Sequence, residues 1–202
     1  RDWVPDQEQI FGRGVQFDWN EIYKILESYF DNSLPRLTQV FLADYNGKLT
    51  YNMNPLYKLI HEHFAIQNIA PIQNEGLIQY SCTLPNDQKY DSKLNLGKII
   101  LLKLLEKYKV KNLISSNKQG FSVNTSKLWN SYGKKIFLHY FDKSRLVEDQ
   151  IINSDWVQRY VSKNNLDVRY INKFLGILAL EIWYRLFITK DLKSNEKLQF
   201  LH

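Results

Sequence analysis

The sequence predicts an all-α chain, and three observations carry that prediction. Apolar residues recur at helical spacing through most of the length, no alternating run exceeds a few residues, and proline or Asn-Gly steps separate the periodic stretches. With 202 residues, 44% of them hydrophobic and 14% aromatic, the chain has apolar material for a sizeable core and reads as a single unit over 1–202. There is no internal repeat and no low-complexity tract.

Asp18 opens the first helix. DWNE has the form of a capping box, and Trp19, Ile22, Tyr23, Leu26, Tyr29 and Phe30 follow on one face until DNSLP (31–35) breaks the run. A second helix carries Leu37, Val40, Phe41 and Tyr45 and is expected to end or turn at Asn46-Gly47. Pro55 implies a loop leading into a short helix at 56–65, and Pro71 implies extended chain across IAPI (69–72). Helices are then expected at 75–84, closed by Pro85-Asn86-Asp87, at 96–108, at 125–141 with Thr125 or Ser126 as cap, at 154–162 and at 170–189. The last contains FLGILALEIWYRLFI (174–188), interrupted by Glu181 and Arg185. It is too short and too charged to span a bilayer, which takes ~20 apolar residues. The two charges stand four apart on one helix and are expected to pair or to serve an interface.

A single cysteine, Cys82, allows neither an internal disulfide nor a CxxC site and fits a reducing, cytoplasmic setting. The opening RDWVPDQEQIFGRG lacks the apolar core of a signal peptide. Starting at Arg1 with one methionine, Met53, the chain looks like a processed protein or an excised fragment. A net charge of +6 and a pI near 9.2 suit an anionic partner such as nucleotide, nucleic acid or lipid headgroups without choosing among them. The aromatic residues sit at helical core spacing rather than interleaved with the basic ones, which argues against a base-stacking platform and ranks nucleic acid last.

His61 and His63 are two apart where a zinc helix needs four, with no Cys or further His close by, and read as ordinary partly exposed histidines. FGRGV holds a lone GxG with no strand before it and reads as a turn rather than a phosphate loop. Lysines at 93, 98, 103, 107, 109 and 111 form the solvated side of an amphipathic helix. Lys98 stands apart because it follows Gly97 at the helix start, where backbone N–H groups and the dipole favour anions. In NKQGFSVNTSKLW (117–129), Gly120 permits close approach of a ligand and Phe121 anchors the turn, so Lys118 is held at a fixed bend. No Ser-His-Asp set, Cys-His set or GxSxG occurs.

That stretch resembles the K-x-G-F segment in the C-terminal part of the glutamine-dependent asparagine synthetases. AIQNIAPIQN (65–74) is similar to the family's S-L-E-x-R-x-P-F-L-D, CTLPNDQKYD (82–91) to its "LP…K", and GKIILLKLLEKY (97–108) to its T-K-x-x-L-R helix. SRLVEDQIINSDWVQRYV resembles its linker, and FLGILALEIWYRLFI its closing helix. The resemblance covers about 34–190, with 1–33 as lead-in and first helix. It implies the helical C-terminal half of an α/β adenine-nucleotide α-hydrolase-like synthetase domain, of the PP-loop ATP pyrophosphatase kind.

The resemblance further implies adenylation of aspartate by ATP with magnesium, followed by attack of ammonia derived from glutamine. Lys118 matches the catalytic lysine set against the phosphates. Lys98 and Gly120 match phosphate- or nucleotide-binding positions, and Asp44 in FLADY matches a polar residue before a Met-rich helix. The implied partners are an upstream nucleotide-binding half and a glutaminase domain or subunit, with a homodimer also open and no membrane. The sequence departs from the family pattern at Gln67, Ile69 and Asn74, where three charges are gone, and at Asn124, which replaces a proline. The S-G-G-x-D-S loop, the G-E-G-x-D-E segment and a glutaminase cysteine are not in these residues. Two function classes follow: an amide-ligase segment that by itself would not hold ATP tightly, or a non-catalytic helical scaffold derived from the same fold.

Overall fold

The structure, a computed structural model, describes residues 4–113 and 123–195. They fall into two compact units, 19–113 and a second built from both ends of the described chain, 4–18 with 123–195.

The first unit begins with α1 (Trp19–Phe30), directly behind Asp18, and breaks at DNSLP as expected. Gln39 staples that corner: it is 8% exposed, and its amide donates to Phe30 O at 3.2 Å and Asn32 O at 3.0 Å. α2 (Arg36–Ala43) does not stop at Asn46-Gly47. It continues through a π-helical segment, Asp44–Met53, into α3 (Asn54–His63), so the expected turn and the expected loop before Pro55 are both replaced by helix. Asn46 bonds back to Leu42 O at 3.1 Å, and Gly47 faces open space. In the widened turn Asn54 N–H reaches Leu49 O, five residues back, and a proline directly after it loses no essential donor.

α3 ends without glycine. Ala65 takes the left-handed conformation (φ 53°) while Ile66 N–H bonds His61 O at 2.8 Å and Ala65 N–H bonds Glu62 O at 3.0 Å. This is the Schellman pattern. IAPI is extended only to Ala70, because Pro71–Gln73 forms a 3-10 turn. α4 (Glu75–Thr83) is capped by Asn74, whose side chain accepts from Gly76 N–H, and it closes ahead of Pro85. The chain is not purely helical: β1 (Tyr90–Asp91) pairs antiparallel with β2 (Leu96–Gly97), which moves the expected helix start from 96 to α5 (Ile99–Lys107). Asp91 causes this by accepting the N–H groups of Lys93 and Leu94 at 2.8 and 3.0 Å, with Asn95 at φ 49° completing the reversal.

In the second unit, α6 (Thr125–Leu128), a π-helical stretch Trp129–Gly133 and α7 (Lys134–Asp142) form one continuous helix. Its cap is Asn124, accepting from Lys127 N–H at 2.9 Å, rather than Thr125 or Ser126. α8 (Arg145–Glu148), α9 (Ser154–Val161) and α10 (Val168–Phe187) follow. Phe174 is the centre of the core, with ring centroids of Phe137, Trp129 and Trp156 at 5.1, 5.4 and 5.7 Å. α10 buries a single stripe, Ile171, Phe174, Ile177 and Glu181, and leaves Leu180, Trp183 and Phe187 exposed. No helix among the described residues is long and apolar enough to cross a membrane.

Residues 4–14 belong to this core. Val4 and Ile10 are buried, Phe11 bridges Ile152, and Gly12 and Gly14 donate to Ile151 O and Gln150 O, both at 2.8 Å. A Cβ on Gly12 would stand 2.1 Å from Gln150 O, so the first glycine of FGRG answers a steric need. Asp6 accepts from Trp156 Nε1 at 2.9 Å, Tyr160 OH at 2.5 Å and Tyr170 OH at 3.2 Å. The Glu181–Arg185 pair forms as expected, at 2.6 Å.

Candidate functional site

Helices α4, α6, α8, α9 and α10 each have a side chain accepting a first-turn N–H: Asn74, Asn124, Ser144, Asn153 and Asp167. At the start of α5 the residue in that place is Lys98, which offers no acceptor. Lys98 O takes Leu102 N–H at 3.0 Å, and the N–H groups of Ile99, Ile100 and Leu101 find no partner among the described residues. Three outward donors and the positive end of the helix dipole therefore coincide with an ammonium.

Lys98 is also left-handed, at φ 62° and ψ 34°. For a side-chain-bearing residue this costs roughly 1–2 kcal/mol, and such outliers cluster at ligand sites. Its side chain is exposed and makes no ion pair among the described residues. The lysines around it are otherwise engaged in part: Lys103 donates to Gln88 at 3.2 Å, Lys111 pairs with Glu106, and Lys89 stands 6.0 Å above the Phe41 ring.

Asp44 is exposed at the first position of the π-helical segment, in the same unit as Lys98, and the two share no hydrogen bond or ion pair. Lys118 and Gly120 lie outside the described residues. Of the positions where family charges are gone, Gln67 and Ile69 are exposed and Asn74 caps α4. His61 and His63 belong to α3, with His63 edge-on to Phe64 at 4.9 Å. Among the described residues no group of three or more His, Cys, Asp or Glu could hold a metal ion.

Two polar clusters lie in the second unit: of one the sequence reading foresaw only the Glu181–Arg185 pair, and the other it missed. The Glu181 carboxylate accepts Ser144 Oγ–H at 2.7 Å, Arg145 N–H at 2.9 Å, Leu146 N–H at 3.1 Å and Arg185 Nε–H at 2.6 Å, locking the start of α8 to α10. Arg185 also donates to Tyr140 O and Lys143 O. At Asp6 burial pushes the carboxyl up, but the bonds from Tyr160, Trp156 and Tyr170 outweigh it and leave the group below its ordinary value. Burial, then the bonds to Tyr160 and Asp6, raise Tyr170. Both clusters are spent on architecture. Residue 6 is separated from 156, 160 and 170 by some 150 positions, and no spacing rule connects them.

The chain is mainly helical, and the start of α5 joins a lysine to backbone N–H groups that no side chain caps. The chain belongs to the asparagine synthase family, whose model, described as "Asparagine synthase", matches residues 6–185. The match opens at the carboxylate that ties down Trp156, Tyr160 and Tyr170, and it closes at the arginine paired with Glu181. Comparisons with curated proteins and with solved structures gave no significant match.

Proposed function

We propose that the chain is the helical part of an asparagine-synthetase-like amide ligase, converting aspartate, ATP and glutamine-derived ammonia to asparagine, AMP and pyrophosphate. The observation that carries this reading is Lys98, a cation with no ion pair among the described residues, set beside N–H groups that find no partner among them, in a chain of the asparagine synthase family. Lys118, by resemblance, brings a second ammonium to the same phosphates. Fixed donors aimed where charge gathers stabilise a transition state without reorganising, and losing one such donor costs about 10²–10³ in rate. The part proposed for this chain runs through its lysines. An upstream nucleotide-binding half carrying S-G-G-x-D-S would wrap the triphosphate, and a glutaminase domain or subunit would release the ammonia, in the cytoplasm.

Two measurements test the reading. In the complete enzyme, Lys118→Ala is expected to abolish pyrophosphate release and leave the fold intact, and near-normal release would overturn the role. By calorimetry these 202 residues alone are expected to show no tight binding of ATP with magnesium, and submicromolar affinity would contradict the need for the loop.

A further inference from the structure

We infer that stability in this chain is divided between its two units, and that the unit bearing Lys98 opens locally far more readily than the other. Every buried apolar side chain described, from Val4 and Ile10 to Trp129, Phe174 and Ile177, belongs to the second unit. Among the described side chains of 19–113 none that is apolar is buried, and the one buried residue is Gln39. The long helix from Arg36 to His63 leaves Tyr51, Leu59 and Ile60 exposed, and both Leu101 and Leu104 of α5 stand exposed. Burial of apolar surface is the main force opposing chain entropy, and local opening is easiest where it is scarce. The first unit is held by helical hydrogen bonds, the Gln39 staple and exposed pairs such as Lys24–Glu21 and Lys58–Glu62, each of small worth. The second has a closed aromatic core and two polar clamps at Glu181 and Asp6. Lys98 thus belongs to the soft unit, and the rigid unit is built from both ends of the described chain.

Hydrogen exchange read by mass spectrometry on the 202-residue chain tests this without reference to any ligase activity. Peptides of α7, α9 and α10 are expected to exchange at least about a hundredfold more slowly than peptides of α1 to α5. Phe174→Ala should speed exchange across α7, α9 and α10 and leave α1 to α5 unchanged. Equal protection in the two units, whether high or low, would overturn the inference, as would a Phe174→Ala effect spread evenly over both.

Discussion

Glu181 is 2% exposed and carries four hydrogen bonds, three of them to the chain at 144–146 and one to Arg185. Replacing it by alanine removes the acceptor for Ser144 Oγ–H and for two backbone donors at the start of α8, and it deprives a largely buried guanidinium of its counter-charge. Breaking a buried pair from one side costs about 3–5 kcal/mol, and a hydrogen bond to a charged group about 1.5–3 kcal/mol, the two overlapping rather than adding. Arg185 keeps Tyr140 O and Lys143 O as partners, which holds the loss near the lower figure, about 3 kcal/mol. Glu181→Gln preserves the shape and part of the acceptance and should lose about 1–2 kcal/mol. Urea unfolding at pH 7, followed by the fluorescence of the buried Trp129 and Trp156, reads both values. In a cycle with Arg185→Ala the double variant should be more stable than the sum of the singles implies. A loss below about 1 kcal/mol for Glu181→Ala would refute the clamp, since it would mean that α8 holds its place without it.

Further outcomes follow from single residues. Gly12→Ala must push Gln150 away and should cost about 2–3 kcal/mol, whereas Gly47→Ala, in open helix, should gain about 0.5–1 kcal/mol; urea midpoints and helical ellipticity check the pair. Asp6 has a lowered pKa when folded, so its contribution is present above about pH 4 and fades as pH falls through the lower folded value. Asp6→Asn should therefore cost about 1–3 kcal/mol at pH 7 and flatten the acid limb of a stability–pH curve. Tyr170 has the opposite sign: its raised pKa adds stability that is lost as pH climbs above about 10. Lys98→Gly should relax the left-handed residue and stabilise the chain by about 1 kcal/mol while lowering adenylation in the complete enzyme. Lys98→Ala should lower adenylation with no such gain, and equal stability in the two variants would show that the backbone there is unstrained.

Periodicity located the helices of this chain because most of their signal is local: α4, α9 and α10 lie within two residues of where their apolar spacing puts them. The boundaries that were misread share a cause. Asn46-Gly47 and Pro55 are breakers in an α-helix, yet a π-helical turn accommodates both. Ala65, Lys109 and Gln150 end helices in the left-handed conformation usually given to glycine, so composition carries no mark of them. The short ribbon at 90–97 depends on one aspartate side chain closing a turn, a signal set in the polar stretch just ahead of the apolar run of α5. Of the candidate site, the place of Lys98 at a helix start was legible from Gly97 before it, but its missing cap and left-handed backbone were not, since both are properties of conformation. The Asp6 cluster was out of reach because its partners are distant in sequence.

The most direct test is aspartate-dependent exchange of labelled pyrophosphate into ATP by the complete enzyme, comparing the native protein with Lys118→Ala and Lys98→Ala. Exchange should require aspartate and fall about a hundredfold or more in kcat for each variant, with unchanged unfolding of the second unit. Exchange that proceeds without aspartate, or at the native rate in both variants, would contradict the assignment of these lysines to adenylation.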